Sequence, residues 1–300
     1  DRDSYYGPGN DPLKAYGKTT DLTAMGGAQY VHTFDKCFFM PSDLTAGLEY
    51  NRDRLKDNMW GYDRHTDQTV NIYSAFLQNE WKNDRWGILI GGRLDKHNMV
   101  DNVIFSPRAN LRFNPTQNIN LRLSYSSGFR APQAFDEDMH IENVGGTVAM
   151  IERAKNLKEE KSQSFSASAD MYHRFGVFQT NFLIEGFYTR LTDVFVLGEP
   201  YDRGDGILVK TRSNGPGAKV MGLTLEGKVA YLSILQIQAG LTLQRSRYDE
   251  PHKWHDDAPA EKKIFRTPDT YGYFTATYTP IKPLSIALSG TYTGRMLVQR

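Results

Sequence analysis

The sequence predicts an all-β fold: a transmembrane, antiparallel, up-and-down β-barrel. Three observations point there. Apolar and polar residues alternate with period two over segments longer than ordinary strands. Short and long connections alternate along the chain. Aromatic residues are plentiful although mean hydropathy is low (−0.55).

The alternation is plain in Ile119, Leu121, Leu123 and Tyr125, which are interleaved with Asn120, Arg122, Ser124 and Ser126. Successive side chains of a strand point to opposite faces, so one face is apolar and the other polar. The same pattern runs through Ala109, Leu111 and Phe113; Phe178, Phe182, Ile184 and Tyr188; Met221, Leu223, Leu225 and Val229; Ile237, Ala239, Leu241 and Leu243; and Leu284, Ile286 and Leu288. About twelve strands are expected: near 24–34, 43–54, 68–83, 85–96, 105–114, 118–127, 162–173, 176–192, 206–232 with an irregular first half, 235–247, 267–280 and 284–294. Several exceed the ~5–6 residues usual in a soluble sandwich and reach the ~9–11 that cross a bilayer.

Tight turns are expected at Asn83-Asp84-Arg85, Asn114–Gln117, Arg174-Phe175-Gly176, Leu232-Ser233-Ile234 and Pro280–Pro283, where Asn, Pro and Gly supply turn geometry. A further short turn is expected at Asp35–Ser42, around Cys37. Long polar connections fall at 55–67, 97–104, 128–161, 193–205 and 248–266. Strict alternation puts all short turns at one end and all long loops at the other, the arrangement of outer-membrane barrels. A soluble β-sandwich has no reason to sort loop lengths in this way.

Composition excludes other classes. With 36 basic and 35 acidic residues, the chain lacks the net positive charge of a nucleic-acid binder. Tyr 17 and Phe 16 argue against disorder. The lone Cys37 rules out an intrachain disulfide and a multi-cysteine metal site. No segment has the roughly 18 apolar residues of a membrane helix, which does not bear on a barrel.

Catalytic constellations are not found, and the chain is not expected to be an enzyme. Glu159 and Glu160 are adjacent and point to opposite faces, a poor acid–base pair. Ser124, Ser126 and Ser127 lack a nearby His and a nucleophile elbow. Gly204-Asp205-Gly206 and Asn214-Gly215-Pro216-Gly217 read as turns rather than phosphate loops. No cofactor or resident metal is implied.

The segment Tyr73-Ser74-Ala75-Phe76-Leu77-Gln78-Asn79-Glu80 is followed by Gly91-Gly92-Arg93-Leu94-Asp95, then Phe105-Ser106-Pro107-Arg108, then Gly128-Phe129-Arg130-Ala131-Pro132, then Gly222-Leu223-Thr224-Leu225-Glu226. In this order the motifs resemble the barrel strands of TonB-dependent outer-membrane receptors, of the siderophore, haem or cobalamin branch. Leu94 stands where that family usually has an aromatic. The resemblance implies a segment of a barrel of about 22 strands in the bacterial outer membrane. It implies active uptake of a scarce nutrient complex, energised by the TonB complex through a region N-terminal to this chain. Plug and terminal strands are expected to lie outside the chain, making it a fragment. Implied partners are a metal chelate or cobalamin, outer-membrane lipid and a surface lipoprotein. The alternatives are a passive porin-like barrel and a soluble extracellular β-rich binding module.

Ligand-contact candidates lie in the long connections: Trp60, Tyr62, Arg64 and His65; Arg130, His140, Glu142 and Arg153; Arg245, Arg247, Tyr248, His252, Trp254, His255, Asp256 and Asp257. Aromatic rings and Arg suit a flat anionic ligand such as a ferric chelate or haem. His252 and His255 would meet a metal jointly only if their loop turned helically. Arg108, Arg112, Arg122 and Lys228 are expected on the lumen face, because a lipid-facing cation at mid-depth costs about 2–4 kcal/mol. They would border a plug.

Overall fold

A computed structural model describes residues 1–5, 16–134, 142–144, 147–204, 206–252 and 259–298. The strands, in chain order, are β1 (Arg2–Tyr5), β2 (Tyr16–Cys37), β3 (Met40–Met59), β4 (Arg64–Lys82), β5 (Trp86–His97), β6 (Ile104–Thr116), β7 (Ile119–Arg130), β8 (Glu142–Val144), β9 (Thr147–Arg153), β10 (Glu160–Phe175), β11 (Phe178–Thr192), β12 (Phe195–Leu197), β13 (Tyr201–Asp202), β14 (Leu208–Asn214), β15 (Ala218–Tyr231), β16 (Leu235–His252), β17 (Glu261–Lys263), β18 (Thr270–Ile281) and β19 (Leu284–Thr293). A 14-stranded antiparallel sheet runs β1-β2-β3-β4-β5-β6-β7-β10-β11-β15-β16-β18-β19, with β17 paired to β16. Among the described residues its long strands are in sequence order, the up-and-down path that alternating connections demand.

The register confirms one apolar and one polar face. Ile88, Leu111, Leu123, Ala167, Gly186, Leu223 and Leu243 are successive cross-strand partners. One residue along, the opposite face carries Arg112–Arg122–Ser168–Glu185–Thr224–Thr242. The apolar side chains are exposed in the chain alone, Leu48, Leu77, Phe105 and Leu288 among them. This is the inverse of a soluble protein and calls for lipid as the missing solvent.

Aromatic pairs bound the apolar band at both ends. Tyr50–Tyr73 (4.9 Å) and Tyr125–Phe165 (4.8 Å) lie toward the loop end; Trp86–Phe113 (4.2 Å) and Phe178–Tyr231 (5.0 Å) lie toward the turn end. From Phe178 to Tyr188 the chain advances ~34 Å, which at the usual tilt is ~25 Å of height, the thickness of such a band.

Short turns close the hairpins as expected. Phe38 and Gly176 adopt φ of 62° and 58° in two-residue connections, and Leu232 adopts 50° in the three-residue connection 232–234, the left-handed backbone that tight hairpins use. Cys37 ends β2 beside this turn, and its carbonyl accepts a hydrogen bond from the Trp81 indole (3.0 Å). At the loop end the outcome differs from expectation in two places. The connection expected at 55–67 is mostly strand: β3 and β4 continue to Met59 and from Arg64, leaving only a 3-10 turn at Trp60–Tyr62. The connections at 128–161 and 193–205, together with residues 206–217 that were expected to open the barrel strand 206–232, build a second sheet, ordered β12-β14-β9-β8, with β13 on β14, so that barrel strand starts only at Ala218. Its β9–β14 pairing is parallel and joins the two loops.

Burial concentrates where these loops fold back. Val100, Ile104 and Ala131 form one cluster; Val194, Ala218 and Tyr248 form another.

Candidate functional site

Three loop-end segments enclose a cavity of about 610 Å³. The turn between β3 and β4 contributes Asp63, Arg64 and His65; the end of β9 and the chain beyond it contribute Glu152, Arg153 and Lys155; the turn after β13 contributes Arg203. Four permanent cations and one imidazole thus face two carboxylates. A polar cleft with one dominant sign of charge focuses its field on an anion.

Each wall is held by the fold. Arg64 Nη2 donates to Asp57 Oδ2 at 2.7 Å, and the hydroxyl of Thr19 donates to Oδ1 of the same carboxylate at 2.6 Å. The extended β3–β4 hairpin places Asp57 and Arg64 close together, on antiparallel strands. His65 Nδ1 lies 2.9 Å from Asn58 Oδ1, and its Nε2 lies 3.5 Å from Asp63. Arg153 Nη1 donates to Gln68 Oε1 (2.9 Å) and to the Pro132 carbonyl (3.0 Å). Gln68 Oε1 also accepts the Ala134 N–H at 2.7 Å. One barrel side chain, Gln68 of β4, therefore ties both limbs of the 128–161 loop to the wall. The parallel ladder sets Arg153 opposite Arg212 and brings the 193–217 loop alongside.

Of the expected contact residues, the cavity gathers Arg64, His65 and Arg153. Trp60 stands outside it, 52% exposed and stacked on Tyr16 at 5.5 Å. The Arg130 guanidinium lies over the Phe195 ring at 5.5 Å, braced between barrel and loop. Tyr248 is only 7% exposed and packs with Val194 and Ala218; burial pushes its phenol up. It props the loop and does not present itself to a ligand. Arg245 and Arg247 lie on the apolar face, Arg247 with Asp269 at 3.7 Å. His252 ends β16 in extended backbone. His140, Trp254, His255, Asp256 and Asp257 lie outside the described residues. No group of three or more metal-ligating side chains occurs among the described residues.

Arg108, Arg112, Arg122 and Lys228 occupy the polar face, cross-strand from Ser126, Arg122, Ser168 and Asn181 in turn. Arg112 Nη2 donates to the Asn83 carbonyl at 3.0 Å. Nearer the loop end of this face Arg93 bridges Glu49 and Asp95, each at 2.8 Å, and Ser74 donates to Asp95 at 2.6 Å.

Lys155, Arg203 and Gln68 were not singled out from the sequence. They are single polar residues in polar stretches: only the joining of two loops brings Lys155 and Arg203 to one cavity, while Gln68 holds its wall from β4.

The chain matches the family model described as TonB dependent receptor-like, beta-barrel, over residues 1–298. Among curated proteins nothing matches. Among solved structures, the siderophore receptor PirA from Pseudomonas aeruginosa is 17% identical, with TM-score 0.69, covering 92% of this chain and 49% of its own. The FrpB iron transporter from Neisseria meningitidis is 14% identical, with TM-score 0.65, covering 93% and 43%. The alcaligin receptor FauA from Bordetella pertussis is 15% identical, with TM-score 0.58, covering 93% and 47%. The chain thus spans about half the length of the structures it resembles. A family of transporters rather than enzymes, seated in the outer membrane of Gram-negative bacteria, accounts for the lipid-facing apolar band, the aromatic girdles and the sorted loops. The chain belongs to the TonB-dependent receptor β-barrel family.

Proposed function

We propose that the receptor containing this chain imports an anionic ferric siderophore across the outer membrane, energised by the TonB complex. The cavity lined by Arg64, His65, Arg153, Lys155 and Arg203 is its outer binding site. The observation that carries this reading is the convergence of these basic groups from three separate loops on one cavity at the loop end. Charge-assisted hydrogen bonds from Arg and Lys suit the carboxylates or phenolates of an iron chelate. That PirA is titled a siderophore receptor and FrpB an iron transporter supports the same reading. Haem and cobalamin are the alternative cargoes of the same transport chemistry, and a passive pore is the alternative mechanism.

Radio-iron uptake by iron-starved cells carrying the intact receptor tests the proposal, against a panel of ferric siderophores, haem and labelled cobalamin. Saturable uptake of a ferric siderophore, abolished when TonB is deleted, is expected. Uptake of cobalamin or haem alone, or uptake that persists without TonB, contradicts it.

A further inference from the structure

A buried histidine stands behind the basic cavity. His97 ends β5 beyond the apolar band and is fully buried. It holds two pieces of the cavity wall. Its Nδ1 accepts the Met99 N–H at 3.0 Å, which leaves the ring proton on Nε2, 3.3 Å from Gln133 Oε1. Met99 lines the cavity, as do Pro132 and Ala134 on either side of Gln133. One imidazole thus joins the turn after β5 to the segment after β7.

The other ties of this wall carry no group that titrates near neutral pH. The Asn98 N–H donates to the Asn71 carbonyl at 3.1 Å, and its side chain accepts the Asn71 N–H (2.9 Å) and donates to the Thr69 carbonyl (2.8 Å). These bonds fix the turn to β4. Arg153 holds the Pro132 carbonyl and Gln68 holds the Ala134 N–H. Val100 and Ala131 pack in one apolar cluster. Only His97 changes its hydrogen-bonding capacity in the physiological range.

A second proton on the ring would make both nitrogens donors. Nδ1–H would then face the Met99 N–H, donor against donor, and a charge would sit where water does not reach. Burial accordingly holds the imidazole below its ordinary value. Asp95, two positions back on β5, favours the charged ring, but its carboxylate already accepts from Arg93 and Ser74. Opposite on β4 stands Ile72. Lys96 is engaged by the Val100 and Asp101 carbonyls, and Arg153 by Pro132 and Gln68.

We infer that His97 is a positioning residue of the binding cavity: the neutral ring locks Met99 and residues 132–134 into the wall, and its protonation undoes the lock and weakens binding of an anionic chelate. The inference rests on the cavity being the chelate's site. Its sign is opposite to that of charge alone. His65 lines the cavity with its side chain half exposed, and a proton there strengthens the attraction for an anion. By linkage, a bound chelate in turn resists protonation of His97.

The test compares wild type, His97→Gln and His97→Leu as intact receptor in detergent, at about pH 7.5 and about pH 5. The probe is tris(oxalato)chromate(III), an inert trianionic chelate that does not titrate in this range. Glutamine can accept from Met99 and donate to Gln133 without a charge, whereas leucine can do neither. Wild type should match His97→Gln at the higher pH and bind the probe roughly fivefold or more weakly than it at the lower. Comparison at equal pH cancels the contribution of His65. His97→Leu should bind weakly at both. In the receptor without probe, the Met99 methyl resonance should move further with pH in wild type than in His97→Gln. Parallel binding curves for wild type and His97→Gln overturn the inference, as do full affinity of His97→Leu and equal methyl shifts. A gain of wild type over His97→Gln on acidification also overturns it, because His97 would then act as a charge. Absence of probe binding to every variant at the higher pH overturns the cavity as an anion site and this inference with it. A lock that fails while the probe still binds overturns the inference alone.

Discussion

His97 lies at the end of β5, beyond Leu94, the last outward apolar residue of that strand, and is 0% exposed. Its Nδ1 accepts the Met99 N–H at 3.0 Å, so its proton sits on Nε2, 3.3 Å from Gln133 Oε1. Burial holds the imidazole below its ordinary value. The folded loop therefore favours the neutral ring, while the unfolded chain protonates near pH 6.5. Stability from this contact is complete above that pH and declines as pH falls toward the folded value. Protection of the Met99 amide, its exchange relative to the unstructured chain at the same pH, should fall on acidification from pH 7.5 to 5.5, and His97→Gln should remove that dependence. At Gly240 the ring of Tyr273 folds over the glycine from the next strand, and Gln238 Nε2 donates to the Tyr273 hydroxyl at 2.8 Å. Gly240→Val would meet that ring. A cost of about 1–3 kcal/mol is expected, readable as a lower urea midpoint for the intact barrel in detergent.

At the scale of elements, the barrel strands were legible because lipid and lumen impose period two over ten or more residues. Polar residues do not disturb that reading when they keep to one parity, as Arg122, Ser124 and Ser126 do in β7. The extension of β3 and β4 past the membrane was not legible: beyond Asn51 the alternation is between charged and mixed residues, which local composition cannot distinguish from a loop. The loop sheet was less legible still. Its strands are two to seven residues long and its β9–β14 pairing is parallel and non-local, so no periodic signal marks it. Val209 of β14 is 0% exposed at the heart of that pairing. Val209→Asp buries an unpaired charge and should open the loop sheet while sparing the barrel. Hydrogen exchange should then lose protection at 147–153 and 208–214 but keep it in β10 and β11.

For the whole molecule, the solvent is different on the two faces of one sheet. Leu123→Arg puts a cation in hydrocarbon and should cost about 2–4 kcal/mol in folding into vesicles. Its neighbour Ser124 faces the polar side, and Ser124→Arg should cost far less. Equal costs would mean that both faces meet the same environment. The ordered motifs from Tyr73 to Glu226 made the family recognisable, but they lie almost wholly in the wall, with Pro132 alone reaching the cavity. The cavity depends on Lys155, Arg203 and Gln68, whose meeting is a property of loop packing and carries no motif. The proposed binding cavity accordingly lies where sequence pattern is weakest, on loops held by a strongly patterned scaffold.

On the function proposed here, the basic cavity at the loop end receives an anionic iron chelate. Equilibrium binding of ferric siderophores to the intact receptor, wild type against R153Q/K155Q/R203Q, tests it most directly. Loss of two or more charge-assisted contacts predicts affinity at least about a hundredfold weaker, with thermal unfolding of the barrel unchanged. Wild-type affinity in the triple variant would mean that the chelate does not bind in this cavity.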